Sequence, residues 1–310
     1  MSSATRVPET VDRTGDTARM TLAQVGPTQL LTRSIQRLRA ADGFSHARSL
    51  AFMTVLVAVQ GLVAVVGIAT AVGQDGVGQA AAEVSQIAAP GPVGEALQAA
   101  IEQARANGGD ERYIAIGVGF AGVLLSATTA MGQMQRSLNR LYGIERDRPM
   151  VSKYVRALLL TCSVGVLLTA AFAMIAVGGA IGSAIGADTL APLWRLSRVP
   201  LGVCLLTAAV AVLFRVCPRR RQPSWSWLAP GAGVAVAGWG VATVALGMVL
   251  DISPSFGDAY GPLAGVVALL LWGLLSSTAL LLGAAVTAEL ESARAAGAGH
   301  DESEAASQRS

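Results

Sequence analysis

Six long apolar stretches constrain the fold of this chain more than any other feature. They lie at about 49-73, 113-131, 156-186, 199-216, 226-250 and 262-287. Each is near or above the roughly 20 residues that a helix needs to cross ~30 Å of hydrocarbon. None carries a charged residue or a histidine at its middle, where a charge would cost on the order of 3 kcal/mol. The pattern predicts an all-α, polytopic membrane protein with six transmembrane helices.

The basic residues are distributed unevenly between the two sides of such a bundle. Of the 23 Lys and Arg, 19 fall in the two tails or in and beside the connections after spans 2 and 4. The other side has only Arg105, Arg112, Arg195 and Arg198. Basic residues that flank spans remain cytoplasmic. The sequence therefore predicts a multi-pass protein of the plasma (inner) membrane with both termini in the cytoplasm, N-in and C-in.

The chain divides into a membrane domain, 49-291, and the segments that flank it. Residues 1-27 and 292-310 are polar and lack apolar periodicity, which predicts two disordered cytoplasmic tails. Within the domain, the connection 74-112 carries two weak apolar stripes around a Pro-Gly-Pro turn, which predicts an outer helical loop. Packing on the outer surface is the favoured role for this loop, and a lid over a cavity is the alternative.

A basic helix is predicted immediately before span 1. In the segment 28-48, Leu31, Ile35 and Leu38 recur at helical spacing with arginines around them. This pattern is typical of an amphipathic juxtamembrane helix that lies on an anionic membrane surface. A solvated helix that packs on cytoplasmic loops fits the pattern equally well.

Glycines at small-residue spacing occur in spans 3 and 5. They are Gly178, Gly182 and Gly186 in span 3, and Gly233 and Gly240 in span 5. In lipid, small residues let helix backbones approach closely, and packing replaces the hydrophobic drive. These positions are predicted to be helix contacts. A broken or re-entrant end of span 3 that lines a cavity is the alternative.

The sequence contains no recognisable catalytic set. Its two histidines, His46 and His300, lie at the entry to span 1 and in the C-terminal tail, and no HExxH, GxSxG or phosphate-cradling motif is present. Cys162, Cys204 and Cys217 lack CxxC spacing, which argues against a zinc site or a disulfide framework. The sequence therefore predicts no enzyme and no cofactor. The formal charge of +3 reflects membrane orientation rather than nucleic-acid binding.

Two polar features stand out from the apolar background. Gln60 lies in the middle of span 1, where an unpaired amide is costly, so it is expected to bond to another helix or to line a wet cavity. The inner connection after span 2 is richer in polar side chains than topology requires. The candidate pathway or head-group contacts are Gln60, Gln133, Arg136, Asn139, Arg140 and Tyr142.

Four segments of the chain resemble successive signatures of one family. They are LNRLYGIERDRP, KYVRALLLT, CPRRRQPSWSWLAPGA and YGPLAGVVALLLWGLLSSTALLLGA. In this order, over about residues 44-291, the chain resembles the YihY/virulence factor BrkB family. The resemblance implies an inner-membrane protein. Members have been proposed to be transporters or lipid-export factors, and some once carried the label ribonuclease BN, which is widely regarded as mistaken.

The chain departs from the family pattern in spans 1 and 6. Many members have Pro in place of Gln60, and many carry an acid where this chain has Ala285, so no proton relay is expected at that position. The sequence predicts passive or facilitated movement of a lipid or small amphiphile, with membrane lipids and further copies of the chain as partners. A structural or envelope-assembly protein is the second hypothesis, and a membrane-bound ribonuclease is a remote third.

Overall fold

A computed structural model of the chain describes residues 4-9, 15-72, 112-184, 191-252 and 264-307. These ranges contain eight helices and no strands. The helices are α1 (Gly15–Val25), α2 (Pro27–Ala40), α3 (Gly43–Val72), α4 (Arg112–Leu141), α5 (Met150–Ala184), α6 (Ala191–Val216), α7 (Trp225–Ile252) and α8 (Ala264–Ser307). The predicted spans fall, to within a few residues, on α3 to α8, so the all-helical fold class is confirmed for the described residues.

The six long helices α3 to α8 form a closed ring. Each packs against the next helix along the chain, and α8 returns to pack against α3. Short connections, such as 142-149 between α4 and α5, favour contact between helices that are neighbours in sequence. The buried core lies on the inner faces of the ring and includes Leu138, Leu160, Phe214 and Leu281.

Four of these helices are long and apolar enough to cross a membrane. The crossing segments are Met150–Phe172, Leu196–Val216, Trp225–Leu250 and Ala264–Ala296, in α5, α6, α7 and α8. Large apolar side chains such as Leu159, Val166 and Val241 are more than half exposed. Soluble proteins rarely expose apolar surface on this scale, whereas lipid accommodates it. The chain is therefore a multi-pass membrane protein. The first two predicted spans form α3 and α4, and many of their side chains lie outside the described residues.

Where the structure describes the two tails that are predicted to be disordered, they contain helix. Residues 15-25 form α1, which packs against α7 and α8, and α8 itself continues through 292-307. On α1, the buried Ala18 lies on the same face as Leu22 and Val25, which pack against the main core. This spacing of three to four residues gives α1 an apolar stripe, which the high polarity of the segment concealed.

The predicted juxtamembrane helix is α2, and it packs on the protein. Proline suits its first position, because the first amide of a helix has no partner to lose. The buried residues of α2 are Leu30, Ser34, Arg37 and Leu38, and the helix lies against α8. Leu31, expected on the apolar face, is exposed. The buried face of α2 is thus rotated from the predicted apolar face. It is rotated because it includes Arg37, whose hydrogen-bond partners come from distant parts of the sequence.

Two helices approach each other closely at Gly231 of α7 and Gly283 of α8. A Cβ on Gly231 would collide with the hydroxyl of Thr287 and the carbonyl oxygen of Gly283. A Cβ on Gly283 would lie 2.6 Å from that of Ala235. Only glycine therefore allows α7 and α8 to touch through their backbones.

Gly233 and Gly240 of α7, which are predicted to be packing positions, face open space among the described residues. A Cβ on Gly233 or Gly240 would meet no atom within 4 Å, so neither glycine contributes to the described packing. The reason is helix rotation: residues two apart lie about 200° apart around an α-helix, so Gly233 points away when Gly231 faces α8. The surroundings of Gly178, Gly182 and Gly186, and the loop 74-112, lie outside the described residues, and those predictions remain untested.

We expect Gly231→Ala to lower the free energy of unfolding by roughly 1 to 3 kcal/mol, because the added methyl group forces α7 and α8 apart. Gly233→Ala is the matched control, and it should be neutral or slightly stabilising because alanine favours a helix over glycine. Thermal unfolding of both variants in detergent compares them. Equal midpoints for the two variants would show that the α7–α8 contact is not close.

Candidate functional site

An apolar cavity of about 290 Å³ lies at the centre of the helix ring. We call it the central cavity. All six long helices contribute side chains to its wall, among them Leu50 of α3, Met134 of α4, Leu168 of α5, Leu213 of α6, Val236 of α7 and Leu280 of α8. The wall of the cavity is therefore formed by the whole ring and not by one helix pair. A pocket of this size with an apolar lining suits a hydrocarbon group.

The polar groups of the central cavity are few and uncharged. Thr54, Ser276 and Ser277 contribute hydroxyl groups to its lining. The Thr54 hydroxyl donates to the carbonyl of Leu50 at 2.9 Å, so its own helix satisfies it. The buried Ser276 hydroxyl has no hydrogen-bond partner among the described residues. The Ser276 hydroxyl is thus a lining group that its own surroundings leave unsatisfied.

A second feature, the polar network, lies beyond the central cavity at one end of the ring. It contains four ion pairs and several hydrogen bonds between helix ends. The polar network is formed by the side chains of Arg37, Gln135, Arg136, Asn139, Asp147, Arg148, Lys153, Arg219, Arg220, Glu289 and Glu291.

One pair in the network joins α2 to α8. Arg37 donates from Nε to the carboxylate of Glu289, and its side chain is only 5% exposed. Its Nη1 donates to the carbonyl of Thr5 and to that of Leu141, each at 3.0 Å. A single guanidinium thus joins the N-terminal segment and three helices, which its planar set of five donors makes possible.

A second buried pair joins the segment after α6 to α8. Arg220 donates to Glu291 at 2.5 Å, and the two side chains are 3% and 0% exposed. Arg220 also donates to the carbonyls of Val7 and Pro8, at 3.3 and 2.9 Å. Its guanidinium lies 4.8 Å from the ring centroid of Tyr142. Burial, with the nearby Glu291 carboxylate, raises the pKa of Tyr142 above its usual value, so the phenol is neutral.

Asp147 is the acceptor at the centre of a third cluster. It receives hydrogen bonds from Asn139 at 3.0 Å, Lys153 at 3.1 Å and Arg136 at 3.4 Å. Burial alone would raise the pKa of the Asp147 carboxyl, but these donors and their positive charges hold it below the usual value. The Asn139 side-chain oxygen accepts from the backbone amide of Arg219 at 2.8 Å. The cluster therefore fixes the loop after α6 against α4.

The Arg148 guanidinium donates hydrogen bonds to backbone carbonyl groups at the end of α6. It donates to the carbonyls of Cys217 and Pro218 at 2.7 Å each, and to Gln135 at 3.2 Å. The last carbonyls of a helix lack partners within the helix and carry partial negative charge, so a guanidinium stabilises them. Burial raises the pKa of the Cys217 thiol to about 12, which keeps it protonated and unreactive.

The polar network closes the central cavity at this end of the ring. On α4, Met134 lines the cavity and Asn139 belongs to the network; on α6, Leu213 lines the cavity and Cys217 receives Arg148. A rise of 1.5 Å per residue places these network contacts about 6 to 8 Å beyond the cavity wall. Breaking a buried ion pair leaves an uncompensated charge and costs several kcal/mol.

The structure brings most of the predicted contacts in the inner connection together. Asn139, Arg136 and Tyr142 lie in or against the polar network. Gln133 lies 3.2 Å from the imidazole of His46, whose pKa is lowered by burial. Arg140 is half-buried, and its side chain makes no hydrogen bond to a described residue. The described residues also contain no group of three or more His, Cys, Asp or Glu placed to hold a metal ion.

Gln60 lies apart from both the central cavity and the polar network. Its amide carbon would be 3.3 Å from a Cβ on Gly122 of α4, so it packs at the α3–α4 contact. Its buried carbonyl oxygen has no hydrogen-bond partner among the described residues. Gln60 is not part of the described lining of the cavity, so the structure does not join it to the other candidates.

Sequence reasoning missed the residues on which the network depends. In the sequence, Arg148 and Arg220 count only among the basic residues that orient the bundle, Arg37 counts only among the arginines of the juxtamembrane helix, and Glu289 and Glu291 receive no role. One signal was available in the sequence. The two acids directly follow the apolar stretch of α8, in a chain with only 14% charged residues. Such acids are expected to pair with bases when the helix end is buried.

We expect Glu291→Ala to destabilise the protein by about 3 to 5 kcal/mol, because Arg220 would remain buried without its carboxylate. Replacing both partners, as Arg220→Met with Glu291→Met, should recover most of the loss since no unpaired charge remains. Thermal unfolding in detergent measures both effects. An equal loss in the single and double variants would contradict the assignment of this pair as a buried ion pair.

The family comparison covers most of the chain. The family model of virulence factor BrkB matches residues 34–308. Similar curated proteins include the Bacillus subtilis protein YfkH, whose name describes it as ribonuclease-like, at 25% identity over 56% of this chain and 64% of YfkH. A UPF0761 membrane protein of Rhodospirillum rubrum is 29% identical over 56% of this chain and 39% of its own length.

A UPF0761 membrane protein of Methylibium petroleiphilum is also 29% identical, over 55% of this chain and 41% of that protein. The matched part of the chain thus spans less than two thirds of the length of each of these relatives. No solved structure matches the chain. Because the family model matches nearly all of the described helices, the chain belongs to the virulence factor BrkB family.

Proposed function

We propose that this protein is a passive transporter or flippase-like export factor for lipids or small amphiphiles. The observation that carries the proposal is the central cavity, an apolar space of about 290 Å³ lined by six helices of a membrane protein. An apolar chain loses little on leaving lipid for such a space, whereas a hydrated ion would lose its water without compensation. The cavity therefore suits the hydrocarbon part of an amphiphile.

The lining favours movement without energy coupling. No ionisable side chain is among the described lining residues of the central cavity. Ion-coupled transporters use intramembrane charges as relays or as ion ligands. Movement down a gradient fits a lining of aliphatic, aromatic and hydroxyl groups. We propose no catalytic role and no cofactor.

We also propose that all six long helices cross the plasma membrane, with both termini in the cytoplasm. Two observations support this. The helices α3 and α4 belong to the same closed ring as the four apolar spanning helices. The polar network gathers the arginine-rich connections at one end, which the positive-inside rule assigns to the cytoplasm. The central cavity would then be closed on its cytoplasmic side.

A structural or envelope-assembly role is the second candidate. The backbone contact between Gly231 and Gly283 favours it, as do the buried ion pairs, because both make the bundle rigid. The central cavity also does not reach Gln60, so no polar pathway connects that residue to it in the described part of the chain. A ribonuclease activity remains the remote third candidate, supported only by the name of YfkH.

Filling the central cavity should slow the movement of an amphiphile across the membrane. We expect Val236→Trp to slow the transbilayer movement of a fluorescent phospholipid at least fivefold, because the indole would occupy part of the cavity. Purified protein in liposomes, with dithionite quenching of the outer leaflet, measures the rate. The matched control is Val241→Trp on the same helix, where the valine is 71% exposed and the indole would face lipid.

The control variant should move lipid at the wild-type rate, and both variants should retain wild-type thermal stability to within a few degrees. If wild-type protein moves neither phospholipids nor lysolipids or bile-acid-like amphiphiles, the transport proposal fails and the assembly role is favoured. If Val236→Trp moves lipid as fast as Val241→Trp, the pathway lies outside the central cavity.

A further inference from the structure

A second pocket, of about 470 Å³, lies on the surface of the polar network. We call it the arginine pocket. Its charged residues come from three segments that are distant in sequence: the N-terminal segment, the α4–α5 connection and the segment after α6. They are Arg6, Glu9, Glu145, Arg146, Arg219 and Arg220. Arg220 is already neutralised by the buried Glu291, so Arg6, Arg146 and Arg219 face Glu9 and Glu145, and the pocket carries a small excess of positive charge.

Two of these arginines have no partner among the described residues. Arg6 and Arg146 are exposed, and neither side chain makes a hydrogen bond or ion pair there. Arg219 uses its Nη1 on the carbonyl of Asp147 at 2.7 Å, and Arg220 is bound to Glu291. Arg6, Arg146 and Arg219 therefore form no ion pair with a described carboxylate, and a multiply charged anion would neutralise them.

The arginine pocket is built by fixed backbone contacts. Gly143 has a φ of 70°, a conformation that favours glycine. A Cβ at Gly143 would lie 2.5 Å from the carbonyl oxygen of Ala4 and 2.6 Å from the Cα of Arg6. The N-terminal segment therefore lies directly on this turn. Arg220 holds the same segment by the carbonyl of Val7, so Arg6 is kept beside the α4–α5 connection.

We propose that the arginine pocket binds a phosphate group, carried either by a lipid head group or by a small soluble phosphate compound. Guanidinium groups bind phosphate oxygens through paired, charge-assisted hydrogen bonds. The volume of the pocket leaves room for more than one phosphate. This site is separate from the central cavity, so the inference does not rest on the proposed transport function.

The test uses the full chain in nanodiscs of phosphatidylcholine alone. Titration calorimetry with inorganic pyrophosphate, without divalent cations, measures binding of a soluble phosphate. In parallel, native mass spectrometry of nanodiscs that contain one fifth phosphatidylglycerol measures retention of an anionic lipid. The variants are Arg6→Gln and Arg146→Gln. The matched control is Arg39→Gln, an exposed arginine of α2 outside the pocket.

We expect each pocket variant to weaken binding about tenfold or more, the effect of losing a charge-assisted contact. Glu9→Gln should strengthen binding, because it removes a negative charge from the pocket. Arg39→Gln should bind as the wild type does. Added salt should weaken binding, since the pocket is open to solvent.

The two arms separate the sources of the phosphate. Pyrophosphate binding that depends on Arg6 and Arg146 assigns the site to a soluble phosphate compound. No pyrophosphate binding, with phosphatidylglycerol retained by wild type and lost from both variants, assigns it to a lipid head group. The proposal is overturned if neither ligand responds to the pocket variants, or if Arg39→Gln weakens binding as much as they do. A failure of lipid movement by the wild type would leave these outcomes unchanged.

Discussion

Pairing of buried charges at one end of the helix ring is the constraint on which the rest of this structure depends. Helices in lipid gain little hydrophobic energy from one another, so packing and polar contacts decide how they meet. Here Arg37 with Glu289, and Arg220 with Glu291, join segments that are distant in sequence. Each pair leaves an uncompensated charge if it is broken. The helix ends are therefore held together, while the centre of the ring leaves room for the central cavity.

The segments that carry the family resemblance supply much of this network. Asn139 comes from the end of α4, Asp147 and Arg148 come from the α4–α5 connection, and Arg219 and Arg220 come from the segment after α6. Their described contacts are with other parts of the same chain. The most specific motifs of the sequence thus identify the scaffold that closes the ring. The candidate binding surfaces are the apolar wall of the central cavity, whose sequence is less distinctive, and the arginine pocket.

Local features of the fold were predictable from the sequence, and long-range pairing was not. The end of α4 and its turn at Gly143 follow from a polar helical pattern and a glycine in a left-handed conformation. The pairing of Arg37 with Glu289 spans 252 positions, and no local spacing encodes it. The rotation of α7 likewise decides that Gly231, and not Gly233, meets α8. The spacing of small residues shows that α7 has faces of small residues, but it does not show which of these faces is buried.

Accessibility of two introduced cysteines tests the central claim, that the polar network closes the central cavity towards the cytoplasm. The background replaces Cys162, Cys204 and Cys217 with alanine, and a membrane-impermeant maleimide is applied to intact cells and to inside-out vesicles. We expect Arg146→Cys to react only in inside-out vesicles and Leu213→Cys to react in neither preparation. Reaction of Leu213→Cys in inside-out vesicles as fast as Arg146→Cys would show an open cavity, and reaction of Arg146→Cys in intact cells would reverse the orientation.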